Sequence, residues 1–100
     1  MDSSSFKALL EQRAKSSLFN PDEISDEALD IAVGETYEEC EGLMVKQWVM
    51  MDFAMIRLKM YLKIPLSEED IITLKNALVA IKSSPSDNAP KISNIVYAKI

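Results

Sequence analysis

The fifteen residues from Trp48 to Leu62, WVMMDFAMIRLKMYL, constrain this chain more than any others: twelve are apolar, and only Asp52, Arg57 and Lys59 interrupt them. A helix wetted along one face carries a single apolar stripe, whereas a helix that is apolar all round has to be enclosed. As a helix the segment is about 22 Å long, short of the roughly 30 Å of a bilayer's hydrocarbon core. Each of its three charges would also cost a few kcal/mol at mid-membrane. It therefore reads as a buried central helix, in a chain with little material to bury it. Neighbouring copies are the expected source of the missing cover.

With 100 residues the chain makes one small domain, near the size at which a single core is just sufficient. Two glycines and four prolines are few, which favours helices over a turn-rich β fold. No basic segment followed by an apolar one opens the sequence, so neither secretion nor membrane insertion is signalled. Cys40 stands alone and cannot form an internal disulfide, which suits a reducing compartment.

Charge is unevenly divided. Residues 1–44 carry eleven acidic and three basic side chains, a net of −8, while residues 45–100 carry five acidic and eight basic, a net of +3. An acidic surface repels phosphate, so direct nucleic-acid binding through the first half is not expected. A chain negative at one end and positive at the other can instead pair with copies of itself. The simpler reading is a solvated acidic face.

Phe6, Leu9, Leu10 and Ala14 recur at helical spacing and give a short first helix that fades near Ser16–Ser17. Asn20-Pro21-Asp22 is a turn signal, because the residue before proline is pushed out of the α region. A second helix starts at the cap Ser25, with Ile24 and Leu29 placed as a hydrophobic staple. Asp26 and Glu27 complement its dipole. Its seam runs Leu29, Ala32, Val33, Thr36, Tyr37, Cys40, Leu43, Met44, which turns Asp30, Glu35, Glu38, Glu39 and Glu41 outward. Gly34 within it hints at close packing.

A break in Gly42–Gln47 precedes the third helix, from about Gln47 to Lys63, which Ile64-Pro65 ends. Ser67 caps a fourth helix, with Asp70 completing a capping box and Leu66 and Ile71 a second staple. Ile71, Leu74, Leu78 and Ile81 form its buried stripe, with Ala77 beside them. It stops at Ser83–Ser84. The polar linker SSPSDNAP follows, and then Lys91–Ile100, KISNIVYAKI, is strand-like and too apolar for a solvated tail. One reading leaves it loose against the domain. The other makes Ile92, Ile95, Val96, Tyr97 and Ile100 an arm that adds to a partner's sheet edge or groove.

Catalytic chemistry is poorly supplied. The chain has no histidine, the commonest general base and metal ligand. One cysteine without histidine offers neither a zinc site nor a cysteine–histidine pair. There is no glycine-rich phosphate loop, and the acidic spacing is helical rather than that of a calcium loop. No enzyme, metal or cofactor is expected. In the central helix, Asp52 and Arg57 lie five apart and do not share a face. Each is expected to reach a partner on a neighbouring helix or subunit, since an unpaired buried charge is costly. The methionines from Met44 to Met60 read as core filling that would also suit a subunit interface.

Three segments in order, SDEALDIAVGETYEECEGLM, VMMDFAMIRLKMYL and SEEDIITLKNALVAIKSSP, carry a likeness over residues 24–84. In these the chain resembles the head–tail adaptor (head-completion or connector) proteins of tailed bacteriophages, and looks most like their Mu-like branch. The resemblance implies an all-α fold, a small bundle of about four helices with an extended C-terminal arm. Residues 1–84 would form the helical adaptor domain and residues 85–100 the linker and arm. It implies a virion protein, assembled in the host bacterial cytoplasm, that forms a ring, usually of twelve copies, under the portal. The ring would extend the DNA channel without sequence-specific contact and join the capsid to the next neck or tail protein. In that frame Lys91–Ile100 would be the portal-binding arm. Glu35, Glu38, Glu39 and Glu41 would include the channel-facing positions, and Asp52, Arg57 and Lys59 would mark the subunit interface. The alternative is a small acidic helical regulator or chaperone that binds a host or phage protein.

Overall fold

The fold is all-α, a small bundle of four helices, in a computed structural model that describes residues 3–17 and 21–86. Helix α1 spans Ser3–Ser16, α2 Asp26–Glu39, α3 Gln47–Tyr61 and α4 Glu68–Lys82, with a 3-10 turn at Pro21–Glu23. No strand occurs among the described residues. The arm positions Ile92, Ile95, Val96, Tyr97 and Ile100 lie outside them.

Local chemistry sets most of the boundaries. The Ser25 hydroxyl accepts from the Ala28 N–H at 3.1 Å and starts α2. At α4 both halves of the capping box form: the Asp70 N–H donates to Ser67 Oγ at 3.1 Å, and the Ser67 N–H to Asp70 Oδ2 at 3.0 Å.

Two helices end earlier than their apolar patterns suggest. Helix α2 stops at Glu39, with Cys40 as cap, although the seam continues to Leu43 and Met44. The Leu43 N–H turns back to the Cys40 carbonyl at 3.0 Å, and Gly42 sits at φ +75°, where a glycine carries no Cβ penalty. Helix α3 stops at Tyr61 rather than Lys63. The Ile64 N–H reaches the Lys59 carbonyl at 2.9 Å and the Lys63 N–H that of Met60 at 3.2 Å. This is a Schellman closure in which Lys63, at φ 59°, fills the left-handed position that glycine usually holds. Pro65 follows two residues on.

Packing shows why α3 is apolar all round. On one side α1 and α2 bury Phe6, Leu10, Ala14, Leu29, Ala32 and Val33 against Met51, Ala54 and Leu58. On the other, α4 lays Ala77 and Ile81 against Val49 and Phe53, with Cys40 at the edge. The central helix thus divides two apolar clusters and belongs to both. Its own chain encloses its middle, but its ends emerge: Trp48 is 61% exposed and Met60 44%. Helix α4 touches the rest of the bundle mainly through α3, so its stripe is narrower than the sequence suggests. Ala77 and Ile81 are buried, Leu74 and Leu78 half-buried, and Ile71 exposed. Gly34 is not a close-packing site either, since a Cβ added there would meet nothing within 4 Å.

Past α4 the chain is tied back. The Met44 N–H donates to the Pro85 carbonyl at 2.8 Å, and Leu43 and Ser86 form an isolated antiparallel bridge.

Candidate functional site

Each charged residue of α3 finds its partner on a different helix of the same chain. Asp52 faces Arg13 of α1 at 3.6 Å, Arg57 meets Glu35 of α2 at 2.6 Å, and Lys59 meets Asp70 of α4 at 3.0 Å. On the outer seam, Lys7 of α1 bridges Asp26 and Asp30 of α2 at 2.8 and 2.7 Å. Those two hydrogen bonds raise the Lys7 ammonium well above its ordinary range.

The densest of these seams joins Glu35, Arg57 and Tyr61. Burial pushes the Glu35 carboxyl up. Hydrogen bonds from the Tyr61 hydroxyl and the Arg57 guanidinium outweigh that and hold it below the usual value. The same bond to Glu35 raises the Tyr61 phenol. The Arg57 guanidinium lies over the Phe53 ring, 5.6 Å from its centroid, and touches Met60 Sδ at 3.9 Å. Its Nε is buried with no acceptor among the described residues. Asp70 is held low first by the Ser67 backbone N–H and then by Lys59. Cys40 is buried, and its thiol is pushed up by burial and by neighbouring Glu39.

Of the four carboxylates expected to face a channel, Glu35 is tied to α3 within the chain. Only 27% of its side chain is exposed, because Arg57 and Tyr61 draw it onto α3. Glu38, Glu39 and Glu41 stay exposed. Asp52, Arg57 and Lys59 serve as ties between helices of one chain. Sequence spacing had no means of finding these pairs, since Glu35 and Arg57 are 22 residues apart.

The outside of the bundle carries large apolar side chains on each of its four helices. Helix α4 shows Ile72 at 57% and Val79 at 64% exposure, α2 shows Ile31 at 38%, α1 shows Leu9, and α3 shows Trp48 at its start and Met60 and Tyr61 at its end, while Met44 stands exposed in the connection before α3. Trp48 separates two open grooves. One, of about 600 Å³, is lined by Leu9, Gln12, Arg13 and Met51 among others. The other, of about 280 Å³, runs past Met44, Val49, Ala80 and Pro85.

No family model, curated protein or solved structure matches this chain. What the geometry offers is directed outward. No group of three or more cysteine or carboxylate ligands that could hold a metal occurs among the described residues. No helix among them is long and apolar enough to cross a membrane.

Proposed function

We propose that the chain is a structural adaptor of a tailed bacteriophage. Copies of it form a ring under the portal, extend the DNA channel and join the capsid to the neck or tail. One observation carries this reading. The charges of the central helix are all paired inside the chain, while Ile31, Trp48, Ile72 and Val79 stand exposed on three helices. Exposed apolar side chains on more than one helix face supply contacts for neighbouring copies on more than one side. The exposed Glu38, Glu39 and Glu41 supply a surface past which DNA slides without adhering. Residues 91–100 reach the portal as an arm.

The same acidic face supports a second reading, a small regulator that binds a host or phage protein as a monomer or dimer. Electron microscopy of the full chain mixed with a portal ring separates the two. A ring of added density beneath the portal is the expected result. Its absence at saturating protein would leave the regulator as the better account.

A further inference from the structure

Two exposed helix faces on opposite sides of the bundle are complementary. On α4, Ile72, Lys75, Val79 and Lys82 recur at helical spacing along the side turned away from Ala77 and Ile81, with Glu68 at the start of that line. All five are exposed. On α2, Glu27, Ile31, Gly34 and Glu38 fall on the side turned away from Ala32 and Thr36, and they too are exposed. One face alternates Ile72, Lys75, Val79 and Lys82 along its length, with Glu68 at its start. The other is an isoleucine beside a bare backbone position, flanked by two glutamates.

Neither face is used among the described residues. None of Lys75, Lys82, Glu27 and Glu38 belongs to the ion-pair seams of the bundle. Open space stands over Gly34, where a protruding side chain from another helix can be received. Gly34 lowers the intrinsic stability of α2 without any packing need inside the chain, and a neighbour's Val79 or Ile72 gives it a role. Helices α2 and α4 pack on α3 from different sides, so the two faces point apart and cannot meet within one molecule.

We propose that α4 of one copy docks through Ile72, Lys75, Val79 and Lys82 on Glu27, Ile31, Gly34 and Glu38 of α2 of the next. The contact is heterologous: each copy offers a different face at each side and therefore binds two neighbours. Such contacts close into rings or extend as filaments rather than stopping at dimers. Charge complementarity selects the second copy as occupant, since Lys75 and Lys82 on either side of Val79 meet the glutamates on either side of Ile31 and Gly34. The inference deepens the ring reading and rests on it only for closure. Glu38 then belongs to the seam between copies, which leaves Glu39 and Glu41 for the channel.

The test is sedimentation of the full chain at low ionic strength, where exposed charges are least screened. The native chain associates beyond dimers as concentration rises. The variant K75E/K82E has two acidic faces and stays monomeric. E27K/E38K has two basic faces and does the same. Mixing the two variants restores association, because each acidic face now meets a basic one. Far-UV circular dichroism confirms that both variants keep native helix content. A native chain that is monomeric at every concentration overturns the inference, as does association that neither variant weakens or that the mixture fails to restore. Variants that still build a full ring on a portal would overturn this seam while leaving the adaptor reading intact.

Discussion

Arg57 of α3 donates to Glu35 of α2 at 2.6 Å, and the same carboxylate accepts from the Tyr61 hydroxyl one turn further along α3. One acidic side chain thereby fixes the rotation of α3 against α2. The guanidinium also stacks on Phe53, which faces the second apolar cluster.

Removing the carboxylate alone leaves Arg57 half-buried with two of its nitrogens unanswered. Glu35→Ala is expected to cost about 1–2 kcal/mol, since losing one partner of a charge-assisted pair leaves the other desolvated. Glu35→Ala with Arg57→Leu should cost less than the sum of the two single changes, because no orphaned charge remains. Urea midpoints of the four proteins in this cycle measure the coupling. Strict additivity would show that the two side chains do not interact.

The acid side of the stability curve follows from the same residues. Glu35 and Asp70 are held below their ordinary values of 4.5 and 3.8. A carboxyl lowered in the folded state stabilises it fully above its unfolded value. That contribution is lost as pH falls through the folded value. Stability should therefore decline as pH drops below 4.5 for Glu35 and below 3.8 for Asp70. Glu35→Gln and Asp70→Asn should each flatten part of this decline. The check is urea unfolding between about pH 6 and about pH 3, the range in which such carboxyls titrate. An unchanged slope in both variants would contradict the assignment.

Three backbone positions separate strain from packing. Lys63 at φ 59° adopts a conformation that costs an L-residue roughly 1 kcal/mol, so Lys63→Gly should stabilise the fold by about that amount. Gly34→Ala should stabilise it by about 0.5–1 kcal/mol, because the position is helical and open. Gly42→Ala should destabilise, as φ +75° excludes alanine at low cost. Thermal denaturation of the three variants gives the signs directly. A destabilising Gly34→Ala would mean that the site is not open.

The central helix should be unequal along its length. Leu58 is fully buried, and Leu58→Ala should cost about 2–5 kcal/mol through lost burial and the cavity left behind. Phe53→Ala, in the second cluster, should cost about 3–5 kcal/mol. Trp48, at 61% exposure, contributes little to the core, and Trp48→Ala should lie within about 1 kcal/mol of the native chain. Chemical denaturation followed by circular dichroism ranks the three. A Trp48→Ala variant as unstable as Leu58→Ala would mean that the start of α3 is buried.

What the sequence made legible was local. Ser25 and the Ser67–Asp70 box were readable because each cap and its target lie three residues apart. The end of α2 was not, since the apolar repeat runs on through Leu43 and Met44 while the backbone has already turned at Cys40 and Gly42. Those two side chains go to the connection instead: Leu43 packs on the second cluster and Met44 stays exposed. Glu35 looked like one more outward glutamate because nothing within a helical turn marks it. Its partners lie 22 and 26 residues away. Ile71 was read as buried from its spacing. Burial depends on what stands opposite, and α4 has only α3 to lean on.

The bond from Met44 to the Pro85 carbonyl decides where mechanical load enters the bundle. A pull on the chain beyond Ser86 does not peel α4 open from its last turn. It loads the bridge to Leu43 and Met44 first and passes the force into the α2–α3 connection. Both apolar clusters hang from that connection, one through α2 and the other through Leu43 and Val45. Through that connection, tension applied beyond Ser86 is shared by both clusters.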